Sequence, residues 1–180
     1  MHERRYNAEI ERLRLPQRVA LLEVERVIDL CLNGIHADTM LDVGTGSGIF
    51  AEAFARKGLS VTGIDPNPEM LETAKVFIPT GEFQSGIIEK MPFKDKSFDL
   101  VFLGHVLHES DDLIKALTES KRCAKQQVAI LEWPYEEEEI GPPLHHRLKP
   151  KEVVDAAAKV GFSHIETIPL AHMILFRLRA

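Results

Sequence analysis

Cysteine is scarce in this chain, and so is positive charge. Only Cys31 and Cys123 occur among 180 residues, far apart and within stretches of helical periodicity. Neither a disulfide framework nor a CxxC zinc site is supported, and both are expected to be small buried hydrophobes. Lys and Arg number 22 against 28 Asp and Glu, a net charge of -6. Nucleic-acid binding draws most of its affinity from a positive face, so a polyanionic partner is disfavoured; arginine clusters only in "RLRLPQR" and "FRLRA". No apolar run is long enough to span a bilayer, and no membrane association is expected. The opening "MHERRYNAEIERLRLPQR" has no apolar core followed by a small-residue cleavage site, so it does not read as a signal peptide and a cytoplasmic protein is expected. Internal repeats and linkers are missing too. What is there, 44% hydrophobic and 28% charged residues over 180 positions, suits one soluble globular domain. The expectation is a single domain over 1–180, with an N-terminal helical cap over 1–36 and the core over 37–180.

Along the chain, strand and helix patterns alternate. Val19, Leu22, Val27 and Leu30 in "PQRVALLEVERVIDLCLN" have helical spacing and predict one helix over 16–33 closed by Gly34. "TMLDV" is a short apolar run bounded by glycines, and "GIFAEAFARKG" is a helix stopped at Gly58. "SVTGID" reads as a second strand, followed by a helix with Asn67 as N-cap and Pro68 at its first position. "EFQSGII" and "SFDLVFLG" are further strands, "DDLIKALTESKRCA" a helix and "QQVAILEW" an apolar strand. The segment 134–149, with three prolines, a glycine and four glutamates, reads as an irregular loop; Pro150 then starts a helix, and the last residues form two strands joined near Pro169 to His172. Such alternation argues for an α/β fold with a parallel sheet covered on both faces.

The stretch "MLDVGTGSGIF" carries the chemistry. A strand that ends in glycines and enters a helix presents backbone N–H groups, with almost no side chain in the way, above the sheet. A dinucleotide loop wants G-x-G-x-x-G, but the glycines here are Gly44, Gly46 and Gly48, and Ile49 stands where the third should be. The Gly-Lys-Ser or Gly-Lys-Thr of a P-loop is absent as well. Asp42, at the carboxyl end of the first strand, repels a pyrophosphate but suits a cation. Asp65 ends the second strand, where a carboxylate can accept both hydroxyls of a ribose.

At this point the residues resemble the class I S-adenosylmethionine-dependent methyltransferases. "LDVGTGSG" is similar to their first motif and "VTGIDPNPEML" to their second strand with its acidic end. "EKMPFKDKSFDLVFLGHVLHE" is similar to the fourth-strand segment of the small-molecule branch that includes ubiquinone and menaquinone C-methyltransferases. The resemblance spans roughly 16–180. It implies a Rossmann-like doubly wound sheet of strand order 3-2-1-4-5-7-6 with the last strand antiparallel, S-adenosylmethionine as cofactor, and in-line methyl transfer to a small organic acceptor. It also implies that Asp42 neighbours the methionine moiety and that Gly44, Thr45, Gly46 and Gly48 carry the backbone close to it. Asp65 then binds the ribose hydroxyls, with Pro66, Asn67 and Met70 lining the ribose and adenine. Ile87 stands where the family often has an acidic partner for the adenine amino group, which leaves that part to Ile87, Ile88 or Glu89. Gly104 and His105 come to lie beside the activated methyl group.

In "GHVLHES", His105 is the candidate base for the acceptor, because imidazole titrates near neutral pH, while His108 is expected to line or cap without moving a proton. His145, His146 and Arg147 offer contacts to an acidic acceptor. Adjacent histidines are poorly placed to ligate one ion together, so no metal is expected. Trp133 and Tyr135 are candidate walls of the acceptor pocket, and His2, Tyr6 and Arg18 a candidate lid. The glutamates at 136–139 read as a solvated loop. Relative to this family, the sequence lacks the Asn/Asp-Pro-Pro-aromatic segment of nucleic-acid aminomethylating enzymes, the Cys-near-Pro of pyrimidine C-methylation and the cysteines of arsenite methylation. A partly apolar small acceptor between the N-terminal helix and the 133–149 loop remains, bound by a monomer or homodimer. Two other readings compete: a non-catalytic cofactor-binding or scaffold subunit, and an NAD-dependent oxidoreductase.

Overall fold

The computed structural model describes residues 13–138 and 140–180. Seven strands form one sheet: β1 (Thr39–Val43), β2 (Ser60–Asp65), β3 (Glu82–Ser85), β4 (Phe98–Gly104), β5 (Ala124–Glu132), β6 (His164–Pro169) and β7 (Ile174–Arg179). Their order is β3-β2-β1-β4-β5-β7-β6. All neighbours are parallel except that β7 runs antiparallel to both β5 and β6. The expected order and the reversed last strand are both present.

Period-two side-chain alternation explains how the central strands serve two cores at once. Leu41, Val101, Leu103, Val128 and Ile130 face one side, packed with Leu117 and Ala157 from helices α5 (Leu113–Cys123) and α6 (Pro150–Val160). Their neighbours Met40, Leu100, Phe102 and Ala129 face the other side, with Ile28 and Phe54 from α2 (Val24–Leu32) and α3 (Ile49–Arg56). Burial on both faces is why these strands read as continuous apolar runs rather than alternating ones. Cys31 and Cys123 are buried free thiols in α2 and α5.

The helix boundaries follow local chemistry. Asn67 caps α4 (Pro68–Phe77) by accepting from the Glu69 N–H at 2.9 Å, with Pro68 at the first helical position. Gly161, at φ 83°, ends α6. Two expectations need correction. The helix predicted over 16–33 is two, α1 (Pro16–Leu21) and α2, because Glu23 adopts φ 46° and ψ 42° between them. Glu23 is held there by the Ala171 N–H, which its carboxylate accepts at 2.8 Å, and by Arg26 at 2.7 Å. The bend lets α2 pack on the sheet while α1 reaches over the carboxyl ends of the strands. The third strand also ends earlier than "EFQSGII" suggests, at Ser85; Gly86 to Lys90 form a turn closed by an Ile87–Lys90 bridge. Among the described residues, no helix is long and apolar enough to cross a membrane.

Candidate active site

A cavity of about 700 Å³ opens over the carboxyl ends of β1, β2 and β4, where an open parallel sheet places its ligands. Its floor is the loop between β1 and α3. Gly44 and Gly46 take φ 66° and 52°, which L side chains adopt only with strain. A Cβ on Gly44 would also come within 2.5 Å of Val106 Cγ2. Both residues line the cavity. Gly48 does not. Its φ is 78°, and an added Cβ would sit 3.0 Å from the Ala74 Cβ, so this third glycine serves close packing of the loop on α4.

The two aspartates arrive at adjacent strand ends because β1 and β2 pair in register, Asp42 opposite Gly63 and Val43 opposite Ile64. Asp42 is buried and accepts from the Thr45 hydroxyl at 2.8 Å. Thr45 in turn donates its backbone N–H to the Ile64 carbonyl at 3.0 Å, tying the loop to β2. Burial pushes the Asp42 carboxyl up to about 7; the Thr45 bond opposes that rise and the Asp65 charge adds to it. Asp65 is aimed by the backbone: its Oδ2 accepts from the Gly46 N–H at 3.0 Å and its Oδ1 from the Asn67 N–H at 2.8 Å.

Two histidines follow β4. His105 sits at φ 59° with its backbone N–H on the Leu131 carbonyl at 2.9 Å. Its ring lies 5.2 Å from the Trp133 ring, and its Nε2 is 3.2 Å from the Met173 sulfur. Burial drives its pKa down to about 4, so the imidazole is neutral at physiological pH and weakly basic. His108, buried, is different. Its Nδ1 lies 2.8 Å from Glu132 Oε2, and its backbone N–H donates to Glu132 Oε1 at 3.1 Å. Burial opposes charge on this ring, but the Glu132 carboxylate outweighs it and holds the His108 pKa above the usual imidazole value. Burial likewise works against the Glu132 charge, and His108 overcomes it, keeping that carboxyl below the ordinary range.

A family model described as a methyltransferase domain matches residues 41–131. The chain belongs to this family. A demethylmenaquinone methyltransferase from Chlorobaculum tepidum is 41% identical over 95 residues, which are 52% of this chain and 39% of that protein. The protein of the same name from Thermotoga maritima is 34% identical over 112 residues, 60% of this chain and 48% of its own length. The chain therefore spans less than half of the length of these relatives. Among solved structures, a SAM-dependent methyltransferase from Aquifex aeolicus superposes with a TM-score of 0.86 at 26% identity, covering 97% of this chain and 99% of that one. The cofactor of the family is S-adenosylmethionine.

This methyltransferase domain fits that cofactor on its own geometry. A buried carboxylate with its pKa lifted toward neutrality gains most from a cationic neighbour, and Asp42 is such a group. Of the residues expected to bind cofactor, Asp42, Gly44, Thr45, Gly46, Asp65, Pro66, Asn67, Met70, Ile87, Ile88, Glu89, Gly104 and His105 all line the cavity. The Asn67 oxygen caps α4, and Glu89 Oε1 accepts from the Asp111 N–H at 2.8 Å.

On the acceptor side, several expectations change. Arg147 is turned inward as a staple of its own loop, donating to the carbonyls of Pro142, Pro134 and Ile140 at 2.8, 3.1 and 2.7 Å. An acidic acceptor is thus not its partner. Tyr135 is exposed under Lys149 and does not line the cavity, whereas Trp133 does. His146 reaches the cavity and His145 does not. Glu136 to Glu138 are exposed, as a solvated run should be, and Glu139 lies outside the described residues. Arg18 lines the cavity from α1; His2 and Tyr6 also lie outside the described residues. Among the described residues, no three His, Cys, Asp or Glu are grouped to hold a metal.

Three contributors went unnoticed in the sequence. Glu132 was hidden as the last residue of an apolar run, although a lone carboxylate in "VAILEW" signals a buried partner. Met173 and Arg14 act across 68 and 33 residues, on His105 and on the Ser47 carbonyl, and no local pattern marks them.

Proposed function

We propose that this domain transfers a methyl group from S-adenosylmethionine to a small, partly apolar organic acceptor. The observation that carries the reading is the pair Asp42 and Asp65, set side by side at the ends of β1 and β2, with the Thr45 hydroxyl on one and the Gly46 amide on the other. When bound, the cofactor supplies an electrophilic methyl carbon on a sulfonium. The protein's share is orientation and exclusion of water. Asp42 is placed to meet the positive aminoacyl end, and Asp65 to accept from the ribose hydroxyls while the Gly46 and Asn67 amides hold its oxygens in place. Ile87, Ile88 and Glu89 edge the adenine side, and Ile87, half exposed, offers backbone rather than an acidic side chain.

The acceptor half of the cavity lies between Gly104, His105, Trp133 and the α1 segment carrying Arg18 and Leu22. Trp133 and Leu22 give it apolar walls beside the polar His105 and Arg18, which favours an acceptor with an apolar body; demethylmenaquinone, named for two relatives, is a first compound to try. Calorimetric titration with S-adenosylmethionine, S-adenosylhomocysteine and NAD tests the donor. Labelled methyl transfer into a panel of small acceptors then tests the reaction. Binding of NAD without S-adenosylmethionine would overturn the proposal, and cofactor binding with no transfer to any acceptor favours a non-catalytic subunit.

A further inference from the structure

We infer that His108, aligned by Glu132, removes the proton from an acceptor bearing an ionisable hydroxyl. The proposal rests on the methyl-transfer reading and adds to it the chemical class of the acceptor and the group that activates it.

Geometry makes the assignment. Glu132 ends β5 beside the exit of β4, and both of its oxygens are committed to one residue: Oε1 to the His108 backbone N–H and Oε2 to the ring Nδ1. A carboxylate can only accept there, so Nδ1 carries its proton whether the ring is neutral or charged. The proton that comes and goes is therefore the one on Nε2. His108 lines the cavity, and its ring makes no other hydrogen bond among the described residues, which leaves Nε2 to meet a ligand. A histidine oriented at one nitrogen by a buried carboxylate and open at the other is the arrangement of a general base.

His105 lacks each of these features. Its Nε2 lies against the Met173 sulfur and its ring beside that of Trp133, and among the described residues no carboxylate is hydrogen-bonded to it. Neutral and stacked, it serves as a wall of the site. The groups facing His108 come from every element around it. Glu132 on β5 and Glu109 in its own turn favour its charged form, while Arg147 in the following loop opposes it, and His105 stands before it on the chain. Burial also opposes the charge, and the carboxylates prevail.

In the step itself, the acceptor O–H bond breaks and its proton moves to His108 Nε2. The acceptor oxygen forms a bond to the methyl carbon, and the S–CH3 bond breaks with its electron pair remaining on sulfur. The new imidazolium is balanced by Glu132, so no uncompensated charge is left in the cavity. Glu132 is a positioning residue and His108 the catalytic one.

The test combines NMR of the histidine-labelled full chain with methyl transfer to two probes, naphthol and para-nitrophenol. In the wild type, the resonance lost in His108→Gln is expected to show a neutral form protonated on Nδ1, titrating above a free imidazole. Glu132→Gln should lower that titration by about one unit or more. At about pH 8 naphthol is neutral and para-nitrophenol is already ionised, so His108→Gln should slow transfer to naphthol by roughly 100-fold or more and to para-nitrophenol by under about fivefold. Affinity for S-adenosylmethionine should stay within about threefold in both variants. A neutral form protonated on Nε2, a titration unmoved by Glu132→Gln, equal losses on the two probes, or a wild type that binds cofactor and methylates neither probe overturns the assignment alone. Failure of the wild type to bind S-adenosylmethionine removes the methyl-transfer reading, and this inference with it.

Discussion

Asp99 and Asp42 stand at opposite ends of the paired strands β4 and β1, and their surroundings differ in every respect that matters. At the entry end, Asp99 Oδ2 accepts from the Asp38 N–H, the Thr39 N–H and the Thr39 hydroxyl at 3.1, 3.0 and 2.8 Å, and Oδ1 accepts from Lys125 at 3.0 Å. Burial works against its charge, but these donors outweigh it and bring the carboxyl down to about 2. At the exit end, Asp42 has the Thr45 hydroxyl at 2.8 Å, and burial lifts it to about 7. One carboxylate is saturated by the fold; the other, with the Thr45 hydroxyl and an Ala51 backbone bond, is still lifted by burial and gains from a ligand of opposite charge. A buried carboxylate with too few donors marks a site, whereas a saturated one marks structure.

The sharpest break in that comparison is at Asp65, the second carboxylate of the exit end. Asp65→Ala removes the acceptor for the Gly46 and Asn67 amides, and with it the proposed ribose contact. Cofactor affinity should fall by about 100-fold or more, roughly 3 kcal/mol, while His105→Ala should change it by less than about threefold. Calorimetry on both variants decides the matter, and equal losses would contradict the division of the cavity into cofactor and acceptor halves.

Asp99→Asn and Asp42→Asn should move stability in opposite directions. Asp99 has a folded pKa below its unfolded value, so its contribution is present above about pH 4 and is lost as pH falls toward about 2. Its replacement should cost on the order of 1–2 kcal/mol at neutral pH, with cofactor affinity unchanged. Asp42 has a folded pKa above its unfolded value, so the protonated form is favoured by folding and the cost of its charge grows as pH rises from about 4 to about 7. Asp42→Asn should therefore raise apo stability at about pH 8 by roughly 1–2 kcal/mol, do little at about pH 4, and weaken cofactor binding by about tenfold. In the wild type, affinity for the cationic cofactor should rise as pH passes upward through about 7. Denaturant curves at the two pH values, read beside calorimetry, check these outcomes; shifts of the same sign would erase the distinction between the two ends of the sheet.

The same division explains what the sequence made legible. The strongest signals of the cofactor half lie between Asp42 and Met70: a strand, spaced glycines, a second strand with an acidic end, and an N-cap with its proline. Each is a local pattern with a local physical cause, and together they carry the family resemblance that implied the strand order, the reversed last strand and the cofactor. The acceptor half joins His105 to a methionine 68 residues on and His108 to a glutamate 24 residues on, and it folds Arg147 into carbonyls of its own loop. Those pairings follow from how β4, β5 and β7 come together, which no window along the chain displays. That is why His105 and Arg147 are candidates by chain position, while the His108–Glu132 pair and the carbonyls around Arg147 show only in the assembled fold. The break at Glu23 escaped for a related reason: its left-handed backbone is held by the Ala171 N–H, 148 positions away.

Arg14 offers the smallest and most discriminating break, because it belongs to neither half by sequence position. Its Nε and Nη2 donate to the Ser47 carbonyl at 3.1 and 2.7 Å, its Nη1 pairs with Glu52 at 2.8 Å, and its guanidinium lies 3.4 Å over the Phe77 ring. One side chain thus ties the segment before α1 to the glycine loop, to the first turn of α3 and to the end of α4. The pair is half exposed, so the ionic part is modest and the two bonds to one carbonyl carry more of the effect. Arg14→Ala should weaken cofactor binding by about fivefold, about 1 kcal/mol, by loosening Ser47 beside Gly46 rather than by removing a ligand contact. Glu52→Gln, which leaves the bonds to Ser47 in place, should weaken it by less than about twofold. A loss of stability in Arg14→Ala with cofactor affinity unchanged would assign Arg14 to the fold, in the company of Asp99.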